Sequence, residues 1–209
     1  MYAIAGDGCK IWYEGGARPV LLIHGFASDS RRNWTDAGWL RVFDGALLVD
    51  LRGHGQSGKP RTGFSPQRLA ADICTVLDTV GLATVDVVTY SMGGLVGWEL
   101  ARMGRVRRMG IGGLGGGTAA REDFERVLET LPGNEDLRPC IEGMAGHRLD
   151  GEPPVPVLFA AGDADDLAPD AAAFAAKLGA QFVSLGKRNH FNAISSRLFK
   201  QAALDFFGS

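Results

Sequence analysis

Cysteine is scarce in this chain, and the little there is forms no pattern. Cys9, Cys74 and Cys140 are the only three among 209 residues. An odd number at wide spacing, with no His or Cys at ligand distance, excludes a disulfide framework and a zinc site. The free thiols suit a reducing compartment, so a cytoplasmic location is expected. Histidine is scarce too, with four in all, which leaves few places for any chemistry that needs an imidazole. The start of the chain, Met1 to Asp7, lacks a basic segment followed by an apolar core, and no apolar run approaches the length of a membrane span, so no membrane partner is expected. A large excess of one charge is also missing. The net charge of -2 argues against a nucleic-acid partner, and the local cluster Arg102, Arg105, Arg107 and Arg108 reads as a solvated face at a helix end. No Gly-Lys-Ser or Gly-Lys-Thr phosphate loop occurs. Glycine, in contrast, is plentiful at 30 residues. Two stretches, 53–58 and 110–115, fit Gly-x-Gly-x-x-Gly, but neither carries the strand, turn, helix and distant acid that a dinucleotide site requires.

What the chain does contain is an alternation of short apolar runs and helical patterns. Residues 19–23, 46–50, 85–89, 106–111, 155–161 and 181–185 read as strands, and Asp7-Gly8 between 2–5 and 10–13 reads as a hairpin. Residues 33–43 read as a helix, with Trp34, Trp39, Leu40 and Phe43 apolar. Ser65-Pro66 is an N-cap and first helical residue, after which Leu69, Ile73, Val76, Leu77 and Val80 recur at helical spacing until Gly81. A helix from about 93 to 103 and a closing one through Leu198, Phe199, Ala202, Ala203 and Phe206 complete the set. Buried strands alternating with amphipathic helices predict an α/β fold, three layers in the order α/β/α around a mostly parallel sheet. With 45% hydrophobic residues, residues 1–209 are expected to form one domain. Between the strands near 111 and 155, Phe124, Val127, Leu128 and Leu131 mark one helix broken at Pro132-Gly133. The stretch from Asn134 to Pro154 is too rich in Gly, Pro and charge for an assignment.

Chemistry enters at Ser91. Thr89-Tyr90-Ser91-Met92-Gly93-Gly94 follows a strand pattern and precedes a helical one, so the serine hydroxyl stands at the apex of a sharp strand-to-helix turn. There the Met92 amide, near the helix N-terminus, faces the same space. This is nearly the nucleophile elbow Gly-x-Ser-x-Gly, with Thr89 in place of the first glycine. A serine nucleophile needs a base, and the base needs an orienting acid. His190, on a loop beyond the strand pattern 181–185, is the expected base. The loop after the strand at 155–161 carries Asp163, Asp165 and Asp166, any of which could supply the acid. The order Ser, Asp, His is the one that elbow-bearing hydrolases use.

Together with two further segments, these residues resemble the α/β-hydrolase fold superfamily over nearly the whole chain. His24-Gly25-Phe26, at the end of the strand 19–23, is similar to the family's oxyanion loop. Asp50-Leu51-Arg52-Gly53-His54-Gly55-Gln56-Ser57 is similar to its Asp-x-Arg-Gly-x-Gly-x-Ser segment. The resemblance implies that the backbone amides of Phe26 and Met92 form the oxyanion hole. It also implies that Asp165, in register in Gly-x-x-Asp-x-x-x-Pro from Gly162 to Pro169, is the acid, with Asp163 or Asp166 bonding its own turn. It assigns His24 and His54 to loop hydrogen bonds, and it places a short lid at about 115–153. Met92, Phe26, Trp34 and Phe124 are expected to line an apolar pocket, ordinary core being the alternative for Trp34. The implied activity is cleavage of a small-molecule ester or related acyl bond, without cofactor or metal. Carbon-carbon, lactone, thioester or amide hydrolysis on the same residues, or a ligand receptor with an idle triad, are the alternatives.

Overall fold

The computed structural model describes residues 1–130 and 135–208. Leu131, the predicted break at Pro132-Gly133, and Asn134 lie outside the described residues. Eight strands, β1 (Tyr2–Ile4), β2 (Lys10–Glu14), β3 (Val20–Ile23), β4 (Leu47–Val49), β5 (Val85–Tyr90), β6 (Val106–Gly112), β7 (Val157–Ala161) and β8 (Gln181–Ser184), form one sheet in the order β1-β2-β4-β3-β5-β6-β7-β8. The predicted hairpin pairs β1 with β2 antiparallel, and β2 runs antiparallel to β4. All other neighbours are parallel. Sequence character follows position. The inner strands β3, β4, β5 and β7 are buried at every residue, as parallel strands covered on both faces must be, whereas edge strand β1 alternates exposed and buried.

Seven α-helices are described: α1 (Pro66–Val80), α2 (Met92–Arg102), α3 (Arg121–Thr130), α4 (Arg138–Met144), α5 (Ala171–Lys177), α6 (His190–Ala193) and α7 (Arg197–Gly208). Strand periodicity divides the core between two faces. Leu21 and Ile23 join a cluster with α1 and α2, while Val20 and Leu22 join another with Trp39, Phe199 and Ala203. Helix α1 starts as its sequence predicts. The Ser65 side chain accepts a hydrogen bond from the Arg68 amide at 3.3 Å, and Pro66 occupies the first turn. Helix α2 lies against the sheet through glycines. A Cβ at Gly93 would sit 2.5 Å from the Ile23 carbonyl oxygen, and one at Gly97 would sit 2.7 Å from Thr89 Cγ2.

One expected helix needs correction, and two helices appear where the sequence offers no assignment. Residues 33–43 do not form one helix: a turn at Arg31–Thr35 and another at Trp39–Arg41 are separated by Gly38 in the left-handed region at φ 77°. Tertiary packing overrides the helical spacing, since the Trp34 and Trp39 rings meet edge to face at 5.3 Å and Trp39 Nε1 donates to the Ile194 carbonyl at 2.8 Å. The unassigned stretch after Asn134 holds α4, whose Pro139 sits in the first turn, where its missing N–H costs nothing. Helix α5 is alanine-rich and gave too little apolar contrast to show a period. The four clustered arginines each have a partner: Arg102 with Glu99, Arg105 with Asp78, Arg107 with Asp86, and Arg108 with the Phe207 carbonyl. Among the described residues no helix is long and apolar enough to cross a membrane.

One buried ion pair joins the loop after β4 to α1. The Arg52 side chain is 0% exposed and binds Asp72, itself 3% exposed, through two parallel bonds, Nε to Oδ2 at 2.5 Å and NH2 to Oδ1 at 2.8 Å. Asp7, from the hairpin turn, meets the same guanidinium at 3.0 Å. The hydrogen bonds from Arg52 and from the Cys9 amide hold the Asp7 carboxyl down at about 2. Removing one partner of a buried pair leaves an uncompensated charge, so Asp72→Ala is expected to cost about 3–5 kcal/mol in urea unfolding. Asp7→Ala, at a half-exposed carboxylate, should cost much less. Equal midpoints for Asp72→Ala and the unchanged protein would refute the structural weight given to this pair.

Candidate active site

Ser91 lies between β5 and α2 with φ 51° and ψ -125°, and Ala27 is the other described non-glycine residue at positive φ. Such a backbone costs about 1–3 kcal/mol and persists only where its surroundings over-determine it. Here the Ser91 amide donates to the Gly112 carbonyl and its carbonyl accepts from the Gly94 amide, both at 2.8 Å. The threonine that replaces the elbow's first glycine is accommodated by the helix opposite. Gly97 leaves room for the Thr89 methyl, and Thr89 Oγ1 donates to the Gly110 carbonyl at 3.4 Å.

Sheet register brings the other segments to the same edge. Ile23 pairs with Thr89, so His24-Gly25-Phe26 emerges beside Tyr90 and Ser91. Tyr90 pairs with Gly112, and Gly112 with Ala160, so the loop after β7 emerges close by. His190 does not sit in an irregular loop as expected. It opens α6, behind Asn189, whose side chain accepts from the Asn192 amide while Asn192 Oδ1 accepts from the Asn189 amide. The imidazole Nδ1 lies 2.9 Å from Asp165 Oδ1 and 3.1 Å from Oδ2. With Nδ1 facing a carboxylate, the neutral ring carries its proton there and keeps a lone pair on Nε2. Asp165 is 0% exposed at its side chain and also accepts from the Leu167 amide at 3.1 Å.

The neighbouring acids are occupied elsewhere, and neither bonds its own turn as expected. Asp163 accepts from Ser184 Oγ at 2.6 Å, and Asp166 pairs with Arg126 on α3 at 3.0 Å. It is Asp165 that bonds its own turn.

His24 has a single consistent tautomer. Its Nε2 accepts from the Leu51 amide at 2.9 Å, so Nδ1 must donate to the Gly25 carbonyl at 2.7 Å. Burial pushes its pKa down and keeps that neutral form. His54 Nδ1 lies 3.0 Å from the Arg52 carbonyl; burial, then the nearby His24, bring its pKa down to about 3. His147 is half-buried on the segment after α4.

Ser91, His190, Phe26, Met92 and Phe124 line one cavity of about 750 Å³. Phe26 and Phe124 meet edge to face at 4.9 Å across it, and Met92 Sδ contacts Cys140 Sγ of α4 at 3.8 Å. Trp34 is not part of this wall. Its ring is fully buried in the cluster that holds Trp39, Phe43 and Phe199. Two contributors escaped the sequence reading. The Tyr90 hydroxyl donates to the His190 carbonyl at 2.5 Å, with the two rings 5.3 Å apart. Asn33 binds the Gly25 amide at 2.9 Å through its Oδ1. Both bonds span chain distances or directions that no local pattern encodes. Cys9, Cys74 and Cys140 are all free thiols.

A family model described as the alpha/beta hydrolase fold matches residues 18–109. By sequence, the chain is 30% identical over 148 residues to the dihydrolipoyllysine-residue acetyltransferase component of the acetoin cleaving system of Cupriavidus necator, covering 65% of this chain and 38% of that protein. The chain spans only part of the length of the curated relatives it matches, from 25% to 40%. By fold, it is similar to an esterase from Exiguobacterium antarcticum, with TM-score 0.83, 20% identity and coverage of 100% of this chain and 99% of that one. It is also similar to the enol-lactonase from Burkholderia xenovorans LB400, with TM-score 0.82, 20% identity and full coverage of both chains. The sheet order, the family model matched over residues 18–109 and the likeness to these solved structures agree that this chain has the α/β-hydrolase fold.

Proposed function

We propose that the protein is a serine hydrolase that cleaves a carboxylic ester of a small molecule through an acyl-enzyme on Ser91. The observation that carries this reading is the pairing of His190 Nδ1 with the buried Asp165 at 2.9 Å while His190 and the strained Ser91 border one cavity. His190 Nε2 takes the proton from Ser91 as its oxygen attacks the ester carbonyl, and Asp165 holds the imidazole tautomer and stabilises the imidazolium. Protonation of the leaving alkoxide by His190 completes acylation. Water, activated by the same nitrogen, then hydrolyses the acyl-enzyme.

Two backbone amides stabilise the tetrahedral oxyanion. The Met92 N–H belongs to the first turn of α2 and so has no partner within the helix. Phe26 is aimed by its neighbour. The Gly25 carbonyl is drawn toward His24 Nδ1, and in a trans peptide the N–H on the other side, that of Phe26, points the opposite way. Residues at about 115–153, with α3 and α4, act as a short lid, and Phe124 contributes the apolar contact to the acyl group. Lactones fall within the same chemistry as cyclic esters, and two of the similar folds, the enol-lactonase and an N-acyl homoserine lactone degrading enzyme, are named for lactone substrates. No cofactor takes part in the proposed steps. Three free thiols fit a cytoplasmic setting for the activity.

Ser91→Ala is expected to lower turnover of short-chain p-nitrophenyl esters by at least about 10⁴-fold with the thermal transition unchanged. Labelling by a fluorophosphonate should disappear with it. An unlabelled wild-type protein that releases no p-nitrophenol would instead mean an idle site. Asp165→Asn should reduce kcat by about 10⁴-fold through the wrong imidazole tautomer, whereas Asp163→Asn should retain wild-type kcat. Comparable losses in the two variants would remove Asp165 from its assigned role.

A further inference from the structure

Most polar groups around the cavity are already engaged within the protein. Asp123 and Asp166 share the guanidinium of Arg126, each at 3.0 Å, and Asp170 accepts from the Gly116 amide at 3.0 Å. One stretch of chain after the oxyanion loop supplies Ser28, Asn33 and Arg32, the last paired with Asp29 at 3.7 Å, to the lining. Asn33 is the best defined of these. Its Oδ1 accepts from the Gly25 amide at 2.9 Å, and because the donor there is an N–H, the other carboxamide atom is fixed as the nitrogen. That Nδ2 has no hydrogen-bond partner among the described residues and is not among the buried polar atoms left without one, so it is an accessible, unused donor on a residue that lines the cavity.

Its place relative to the chemistry follows from Gly25. A Cβ built there would lie 3.3 Å from Ser91 Cβ and 3.7 Å from Asn33 Oδ1, so the carboxamide and the serine flank the same glycine. The stretch is also held in place. Buried Asp50 accepts from the Ser30 amide at 2.9 Å, from the Ser30 hydroxyl, and from the Gln56 amide at 2.8 Å. The carboxamide is therefore preorganised rather than recruited.

Resting on the serine hydrolase reading, we infer that Asn33 Nδ2 is a substrate-binding donor and that the preferred substrates are esters bearing a hydrogen-bond-accepting oxygen next to the scissile carbonyl. Only atoms within a bond or two of that carbon come near Asn33 when the carbonyl lies between Ser91 and the oxyanion amides. An unbranched alkyl acyl group leaves the Nδ2 donor without a partner once water is displaced, and that asymmetry sets the selectivity.

The isosteric pair p-nitrophenyl methoxyacetate and p-nitrophenyl butyrate tests this, because they differ in one oxygen in place of a methylene. Asn33→Asp keeps an acceptor for the Gly25 amide and removes the donor. The ratio of kcat/KM for methoxyacetate over butyrate is expected to fall about tenfold in the variant, the worth of one hydrogen bond. Any general effect of the added charge acts on both esters and cancels in the ratio. Fluorophosphonate labelling of Ser91 in the variant verifies that the site is folded, and a variant that fails it is replaced by Asn33→Ser, for which the same fall is expected. An unchanged ratio with both esters slowed alike would show that Asn33 only braces the loop and would overturn the inference while sparing the hydrolase reading. Wild-type protein that turns over neither ester would overturn both.

Discussion

Everything at the candidate site depends on β3 and β5 lying side by side in parallel register. The connection leaving β3 runs to β4 on one side and the connection leaving β5 runs to β6 on the other, so a crevice opens at the carboxyl ends of β3 and β5. Pairing Ile23 with Thr89 decides what stands at that crevice. A register one residue away would turn every side chain of β5 to the other face, moving Val87 and Val88 out of their clusters and Ser91 away from Gly25. The register is strongly specified, because both faces of both strands are buried. The apolar core therefore fixes the position of a polar group that contributes nothing to it.

Helix α2 shows how the strain at Ser91 is sustained. Its backbone conformation is disfavoured by about 1–3 kcal/mol, and the helix that follows would relieve it by moving away from the sheet. Gly93 and Gly97 let α2 approach to contact with β3 and β5, while Leu95, Val96, Trp98 and Leu100 bury fully around it. At about 1.5–3 kcal/mol for each large apolar side chain buried, this packing exceeds the strain. A similar logic holds the imidazole of His190. Asp165 fixes one ring edge and Tyr90, the residue before Ser91, fixes the backbone, so the strand that leads into Ser91 also positions His190.

The sheet and its long helices were legible in the sequence because their signals are local. Six apolar runs, a hairpin turn and the Ser65-Pro66 cap each depend on neighbours a few residues away, and the observed elements fall within a residue or two of them. Motif and chain order single out Ser91, Asp165 and His190, and the structure brings the last two into contact. Illegible parts share a different cause. Trp34 has the right chemistry for a pocket wall, yet Gly38 breaks the helix that would have carried it, and the aromatic cluster with Trp39 and Phe199 claims the ring. Asp163 and Asp166 have the right chemistry for a turn, but Ser184 and Arg126 reach them from other elements. In each case the competing partner lies far away in sequence, so composition and spacing carry no trace of it.

The two walls of the cavity are fixed by interactions of unequal strength. On the side of His24, Gly25 and Phe26, the side chains of Asp50, His24 and Asn33 bind backbone amides or carbonyls, with Asp50 and His24 buried. Hydrogen bonds to a buried carboxylate are among the stronger ones a protein makes. On the α3 side, the polar ties are Arg126 to Asp123 and Asp166 and Arg121 to Glu142, all half-exposed or more. Exposed pairs of this kind contribute about 0–1 kcal/mol and weaken with salt, so the apolar contacts of Phe124 and Val127 must hold that wall. The wall that carries His24, Gly25 and Phe26 is thus the more firmly tied, and adjustment of the cavity's shape falls to the other. A site divided in this way can keep the segment beside Ser91 in place while the surface opposite repacks.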